Sequence, residues 1–174
     1  MNTNHLELVP LSLEYAEDLL PLWNDYEVIK YTNVTQLSTV EECEKRIEEI
    51  LDREPYDIVK DYVICYNGEV IGIAGTPIIN EDTRECGFYY QLIRNYWGEG
   101  FGYEAAKAIL NYTLRELNMN MIYADAAVAN SASIRILRKL GFEETHIERK
   151  GFRKNGMEMN LMHFVMKQEE LVGC

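Results

Sequence analysis

The sequence predicts a single α/β domain built on a mixed β-sheet. Strand-like and helix-like patterns alternate along the chain, and three sequential strand patterns precede a helix that begins at a glycine-rich turn, Gly98, Gly100 and Gly102. The 174 residues suit one domain, which at this size buries roughly 70 % of its unfolded surface. Since neither an internal repeat nor a low-complexity linker divides the chain, we expect residues 1–174 to form one domain.

The composition is that of an ordinary soluble protein, with 47 % apolar and 26 % charged residues. There are 29 acidic and 17 basic residues, and the net charge of −12 argues against a nucleic-acid partner, whose phosphates require a basic surface. The acidity is compatible with a cationic substrate. No apolar stretch approaches the ~20 residues that a membrane span needs, and no leader is apparent, so we expect a cytoplasmic protein with no membrane partner.

The cysteines and histidines do not suggest a metal site. They show neither a Cys-x-x-Cys pair nor a metal-ligand spacing: Cys43, Cys65, Cys86, Cys174, His5, His146 and His163. We therefore expect no bound metal and buried thiols in a reducing compartment.

The first part of the chain is predicted to form a strand and two helices. Leu6 to Pro10 has the pattern of a short strand, and Ser12 is a suitable N-cap for the first helix, which Pro21 is expected to kink or end. Thr39 and Glu42 form a capping box at the start of the second helix. The polar and aromatic stretch between the helices is predicted to be a loop with a helical turn.

Three antiparallel strands follow. Residues 62–66 and 70–74 are apolar runs joined by Asn67-Gly68, the strongest short hairpin signal. A third strand is predicted over Glu85 to Leu92. The helix that starts after the glycine turn extends to about Asn118, with an apolar face at helical spacing.

The last part is predicted to be strand, helix and hairpin. Met121 to Val128 alternates as a strand does, and Ser131 to Leu140 is a short helix that Gly141 ends. Residues 142–150 and 157–167 form a terminal hairpin around Gly151 and Asn155-Gly156. The predicted order is β-α-α-β-β-β-α-β-α-β-β.

The glycine turn is suited to binding an anion through backbone N–H groups at a helix start. It has no lysine, so it does not match a P-loop. It is shorter than the dinucleotide fingerprint, and the acid at the right distance, Glu116, lies inside the helix rather than at the end of a strand. A purely structural turn remains the other interpretation.

A second motif follows one strand and one helix later, at Asn130 to Phe142. Together with Trp97-Gly98-Glu99-Gly100-Phe101-Gly102-Tyr103-Glu104-Ala105, it resembles the GCN5-related N-acetyltransferases (GNAT). The similarity is greatest to the branch of ribosomal-protein N-terminal acetyltransferases (the RimJ/RimL type), whose first loop also resembles residues 24–31. The resemblance covers nearly the whole chain and agrees with the predicted element order.

The resemblance implies an acyl-CoA N-acyltransferase fold in which acetyl-CoA binds where two parallel strands splay apart, here those ending at Leu92 and Val128. The backbone of one loop would bind the pyrophosphate: Trp97, Gly98, Glu99, Gly100, Phe101 and Gly102. We expect the exposed carboxylate of Glu99 to weaken this binding slightly.

Two further contacts to acetyl-CoA are implied. The strand segment Tyr90, Gln91 and Leu92 would pair with the pantetheine amides, and an N–H near its end would polarise the thioester carbonyl. Asn130 would hydrogen-bond pantetheine. An Asn before a helix is also an ordinary N-cap, and both roles can hold at once.

Acyl transfer to an amine needs a base, and the departing thiolate needs a proton. Glu85 is the first candidate for the base and Asp125 the second, with an ordered water as a third route. The tyrosine that many family members use as the acid corresponds here to Leu137. Ser133 matches a serine of the branch and could hydrogen-bond the sulfur, or be an ordinary helix residue.

The resemblance therefore implies an acetyl-CoA-dependent N-acetyltransferase that moves an acetyl group directly to a primary amine in a ternary complex. The amine could belong to a protein N-terminus or a small molecule, and a polyamine or antibiotic acceptor is an alternative. An alternative of another class is a non-catalytic acyl-CoA-binding module. The sequence does not determine the oligomeric state, and a homodimer is compatible with it.

Overall fold

The computed structural model describes residues 1–52 and 60–168, without the side chains of Ile78 and Ile79. In chain order its elements are β1 (Leu6–Pro10), α1 (Ala16–Asn24), α2 (Tyr26–Ile29), α3 (Val40–Leu51), β2 (Asp61–Tyr66), β3 (Glu69–Gly75), β4 (Ile78–Asn80), β5 (Glu85–Gly87), β6 (Tyr89–Leu92), α4 (Phe101–Arg115), β7 (Met121–Ala127), α5 (Ser131–Leu140), β8 (Glu143–Lys154) and β9 (Met157–Lys167). The chain forms two compact units, Met1–Gly75 with Tyr89–Ile109, and Thr76–Phe88 with the chain from Leu110 onward.

The first unit contains a four-stranded antiparallel sheet in the order β1-β2-β3-β6. The predicted β2–β3 hairpin is confirmed, because Asn67 and Gly68 both have positive φ angles, 50° and 82°, as a two-residue hairpin turn requires. Where β3 meets β6, a Cβ on Gly72 would collide with the backbone oxygen of Gln91. Glycine at this position therefore allows β6 to pair closely with β3.

The helices of the first unit bury apolar side chains against its sheet. The core contains Leu19, Leu22, Trp23, Ile29, Cys43, Ile47, Val63 and Ile73. The capping box of α3 is confirmed: the Thr39 hydroxyl accepts the Glu42 N–H at 3.2 Å, and the Glu42 carboxylate accepts the Thr39 N–H at 3.2 Å.

The predicted cap of α1 is wrong, and so is one of the two effects expected of Pro21. Ser12 makes no capping hydrogen bond, since its hydroxyl donates to the Glu14 carboxylate, and residues 13–15 form a 3₁₀ turn before α1 begins at Ala16. Pro21 does not end the helix, which continues to Asn24. Burial of Leu22 and Trp23 just beyond the proline outweighs the loss of one backbone hydrogen bond.

The second unit contains a five-stranded mixed sheet in the order β4-β5-β7-β9-β8, in which only β5 and β7 run parallel among the described strands. The predicted helix at α5 is confirmed, and Gly141 ends it with φ 93°. The terminal hairpin turns at Asn155-Gly156 alone. Gly151 lies inside β8 beside a register shift, so the strand continues to Lys154 instead of ending at Lys150.

The predicted strand from Glu85 to Leu92 is two strands. β5 pairs with β4 and β7, whereas β6 pairs with β3 in the other sheet. Phe88 separates them, and its buried ring lies 5.5 Å from that of Phe142. The short strand β4 was not predicted. With these corrections, the mixed α/β fold class predicted from the sequence is confirmed.

Candidate functional site

Among the described strands, β6 is the last of its sheet, and one of its edges pairs with none of them. The N–H of Ile93 donates to the Ile71 carbonyl on β3 at 2.8 Å. Because successive residues of a strand alternate the direction of their backbone groups, the N–H and C=O of Leu92 point away from β3. The Leu92 carbonyl accepts the indole N–H of Trp97 at 2.8 Å. The structure thus joins two of the predicted site segments, the end of β6 and the glycine turn.

The glycine turn has the geometry of an anion cradle. Gly98 and Gly100 have φ angles of +86° and +88°, and a Cβ built on either would meet no atom within 4 Å. The first intrahelical hydrogen bond of α4 runs from the Glu104 N–H to the Gly100 carbonyl at 3.1 Å. The N–H groups of Phe101 and Gly102 therefore precede the helical ladder, at the positive end of the α4 dipole.

The side chains of the turn leave this surface open. Trp97 is 45 % exposed although its indole N–H is anchored on the end of β6. Glu99 is exposed, and Gly98 and Gly100 have no side chain to fill the space. The arrangement fits a diphosphate bound by main-chain donors, with no cationic side chain in the turn.

Gln91 occupies the middle of β6, where its side-chain oxygen accepts the indole N–H of Trp23 at 3.2 Å. Trp23 is buried in the core of the first unit. The side chain of Gln91 therefore anchors β6 to the helical layer, and by the alternation along the strand its backbone N–H and C=O point towards β3, which speaks against the predicted pairing of Gln91 with pantetheine.

In the second unit, Asn130 caps α5. Its side-chain oxygen accepts the Ser133 N–H at 3.3 Å, which confirms the capping interpretation and leaves the Asn130 amide NH₂ as a donor. Ser133 is half-buried in the first turn of the helix. Leu137 is only 2 % exposed and packs in the core, so it has a structural role at the position of the family's usual acid.

Glu85 is half-buried on β5. It lies opposite Met121 in the parallel ladder, and Gly87 lies opposite Tyr123. Burial raises the pKa of the Tyr123 hydroxyl, and the nearby carboxylate of Glu85 raises it further. Tyr123 consequently stays neutral, and its hydroxyl donates to Met121 Sδ at 2.6 Å, a contact that the sequence did not predict.

Asp125 has a partner that the sequence did not identify. Its carboxylate lies 2.6 Å from His163 Nδ1, and the other ring nitrogen of His163 lies 3.1 Å from the Glu148 carboxylate. The ring of His146 stacks on that of His163 at 4.4 Å. His163, on β9, thus connects acids on the two strands that flank its own, β7 and β8.

The two candidate bases do not form a carboxylate pair. Met121, opposite Glu85, and Asp125 share one face of the sheet, since they lie four residues apart on β7. That spacing separates the two positions by roughly 13 Å along the strand. Only one of the two acids can therefore serve a single reacting amine directly.

The described residues contain no cluster of three or more His, Cys, Asp or Glu side chains that could hold a metal ion. In the same part of the chain, every helix is too short or too polar to cross a membrane.

Comparison with known proteins finds acetyltransferases both among family models and among similar sequences. The family model described as "Acetyltransferase (GNAT) domain" matches residues 5–143. The uncharacterized N-acetyltransferase p20 of Bacillus licheniformis is 30 % identical over 173 residues, covering 98 % of this chain and 97 % of that protein. The spermidine N(1)-acetyltransferase of Escherichia coli K12 is 25 % identical over 170 residues, covering 97 % and 89 %.

Among solved structures, the ribosomal L7/L12 α-N-protein acetyltransferase RimL in complex with coenzyme A superimposes with a TM-score of 0.84. The alignment covers 95 % of both chains at 19 % identity, a level at which the likeness shows the fold.

Proposed function

This chain belongs to the GNAT N-acetyltransferase family, and on that premise we propose that it transfers an acetyl group from acetyl-CoA to a primary amine. It is an N-acetyltransferase that uses acetyl-CoA, as its family does. The observation that carries the assignment of the site is the edge strand β6 leading into an open glycine turn at the start of α4.

The main chain of the first unit would bind the cosubstrate. The outward-pointing N–H of Leu92 and the backbone of Tyr90, which faces the same edge of β6, would pair with pantetheine, and the Trp97–Gly102 turn would hold the diphosphate. Asn130 would donate its remaining NH₂ to pantetheine while capping α5 with its oxygen. Acetyl-CoA supplies the activated acetyl thioester.

Glu85 is the proposed base. An amine attacks a carbonyl carbon only when its nitrogen lone pair is free, so a proton must leave the ammonium group. The Glu85 carboxylate can accept that proton directly or through a water, and the neutral Tyr123 hydroxyl lies near it. We assign Asp125 second rank because His163 already binds its carboxylate.

The groups that would donate a hydrogen bond or proton to the leaving thiolate are weaker donors here than in relatives that have a tyrosine. With Leu137 buried, the Ser133 hydroxyl is the proposed donor near the sulfur. The N–H of Leu92 would stabilise the negative charge that develops on the thioester oxygen. No covalent intermediate on the protein is needed.

The acceptor is proposed to be a cationic amine, because the chain carries a net charge of −12. Two classes fit: a protein N-terminus and a polyamine. A polyamine is supported by the spermidine N(1)-acetyltransferase, since that relative is similar over nearly the whole chain. We further propose that the whole chain acts as one catalytic domain in the cytoplasm, where the free thiols of Cys43, Cys65 and Cys86 would persist.

The experiment is free-thiol release from acetyl-CoA with a panel of amines containing spermidine, spermine, aminoglycosides and peptides with free or blocked N-termini. Acceptor-dependent release with one class identifies the acceptor. Binding of acetyl-CoA without release for any amine would instead favour a non-catalytic acyl-CoA-binding module.

The base is tested with the variant Glu85→Gln, for which we expect kcat to fall about 10²- to 10⁴-fold, the range for general-base catalysis, with little change in acetyl-CoA affinity. Glu116→Gln, an exposed acid after α4, is the matched control and should retain activity. Normal turnover of Glu85→Gln between pH 6 and 9 would show that Glu85 is not the base and would favour Asp125 or a water in that role.

A further inference from the structure

The N-terminal segment is tied to the start of α4 through one carboxylate, that of Glu104. The Thr3 hydroxyl lies 2.5 Å from Glu104 Oε1, and the His5 backbone N–H donates to the same oxygen at 2.8 Å. The other carboxylate oxygen, Oε2, lies 2.9 Å from His5 Nδ1. Three donors from a segment of three residues thus converge on one acid about a hundred positions later in the chain.

This acid lies directly behind the anion cradle. Its own N–H donates to the Gly100 carbonyl, and the N–H groups of Phe101 and Gly102 come just before it in the first turn of α4. Side chains of a helix tilt towards its N-terminus, which directs a carboxylate at this position to the positive end of the dipole. Glu104 is therefore placed to compete with a bound anion for the same amides.

The contacts with the N-terminal segment remove that competition. The Glu104 side chain is only 21 % exposed, and it is occupied on both oxygens. Partial burial alone would raise its pKa, but the hydrogen bonds from Thr3 and His5 outweigh burial and lower the pKa below its ordinary value. The Phe101 ring, at the start of the helix, packs against Tyr66 at 4.6 Å, which fixes the turn from the other side.

We propose that Glu104 is a positioning residue for acetyl-CoA: Thr3 and His5 hold its carboxylate away from the N–H groups of Phe101 and Gly102, which keeps them open to the diphosphate. The inference rests on the proposed cosubstrate site. It gives Thr3 and His5 a role in binding although they are distant in sequence from both family motifs.

The test is a set of variants measured for acetyl-CoA affinity by calorimetry and for KM and kcat. Releasing the carboxylate with Thr3→Val and His5→Ala together should weaken acetyl-CoA binding roughly fivefold, the upper end for one charge at a helix terminus, with kcat nearly unchanged. Adding Glu104→Gln to that background should restore most of the affinity, because a neutral amide does not repel a diphosphate. Asn4→Ala, in the same segment, is the control and should bind normally.

A second substrate separates positioning from general damage. S-acetylpantetheine has no diphosphate, so its KM should respond little to any of these variants. Equal losses for both substrates, unchanged affinity in the Thr3→Val/His5→Ala variant, or no rescue by Glu104→Gln would each overturn the inference. If that double variant melts below the assay temperature, His5→Ala alone should give a smaller loss of the same kind. Failure of the wild-type protein to bind acetyl-CoA would instead overturn the proposed site.

Discussion

Cys86 shows how one residue of β5 can be chemically silent beside a proposed catalytic group. It follows Glu85 in the strand, so its side chain points to the opposite face of the sheet, where it is fully buried. Burial disfavours the charged thiolate and raises the pKa of the thiol to about 11, despite a smaller opposing effect of the nearby Thr76 hydroxyl. Direct acetyl transfer requires no cysteine, and this thiol is unsuited to carry an acetyl group.

We therefore predict slow alkylation of Cys86. At pH 8 a thiol with a pKa of about 11 has roughly a hundredfold less thiolate than one at the unperturbed value of 9.0, and the thiolate is the reactive form. Iodoacetamide should label Cys86 at least about a hundredfold more slowly in the folded protein than in urea, measured by mass spectrometry of the Cys86 peptide. Similar rates in the two states would contradict the buried assignment.

At this scale the sequence was most informative about local interactions, although the predicted Ser12 cap was wrong. The Asn130 cap depends on residues three positions apart and was predicted correctly. The Asp125–His163 pair depends on the register between β7 and β9, and no sequence pattern identifies which residues of two distant strands lie opposite each other. For the same reason, the sequence did not predict that the Tyr123 hydroxyl lies near the Glu85 carboxylate.

At the scale of elements, the break between β5 and β6 is the main departure from expectation. The run from Glu85 to Leu92 is continuously strand-like in its residues, since aromatic and apolar side chains favour either sheet. Its division depends on which neighbours each half pairs with, and those partners lie in different sheets. The division matters for function, because it makes β6 an edge strand.

Helix α3 shows the opposite case, an element whose start is encoded in four consecutive residues. Thr39→Ala removes the hydroxyl that accepts the Glu42 N–H, so we expect a loss of about 1 kcal/mol in the free energy of unfolding. Urea denaturation of wild type and variant would measure it. Ser38→Ala is the control, because the preceding residue takes part through its backbone N–H, and it should change stability by less than about 0.5 kcal/mol. Equal effects would mean that the capping box contributes nothing.

At the scale of the whole molecule, the sequence led to the family through two motifs and an element order. Both motifs are made of backbone requirements, glycines at a turn and a capped helix, which is why they can be recognised without a structure. The acceptor is recognised by side chains whose proximity depends on tertiary packing, and the family's members differ most there. The sequence therefore predicted the cosubstrate but not the amine.

The last prediction concerns the coupling of ligand binding to global stability. A ligand that binds only the folded state stabilises it by about 2.7 kcal/mol at a hundredfold excess over Kd, so acetyl-CoA should raise the Tm of the wild type. Gly100→Glu should lose most of this shift, because its side chain enters the space where we propose that the diphosphate binds. Gly68→Glu is the matched control: Gly68 has a similar φ of +82° and equally open surroundings, but it lies in the β2–β3 turn. Both variants carry the same charge and a similar backbone strain, so both should melt somewhat lower without ligand. If acetyl-CoA raised the Tm of Gly100→Glu as much as that of the wild type, the diphosphate would not bind at this turn. If the rise in Tm were lost in Gly68→Glu as well, the effect would not be specific to the site.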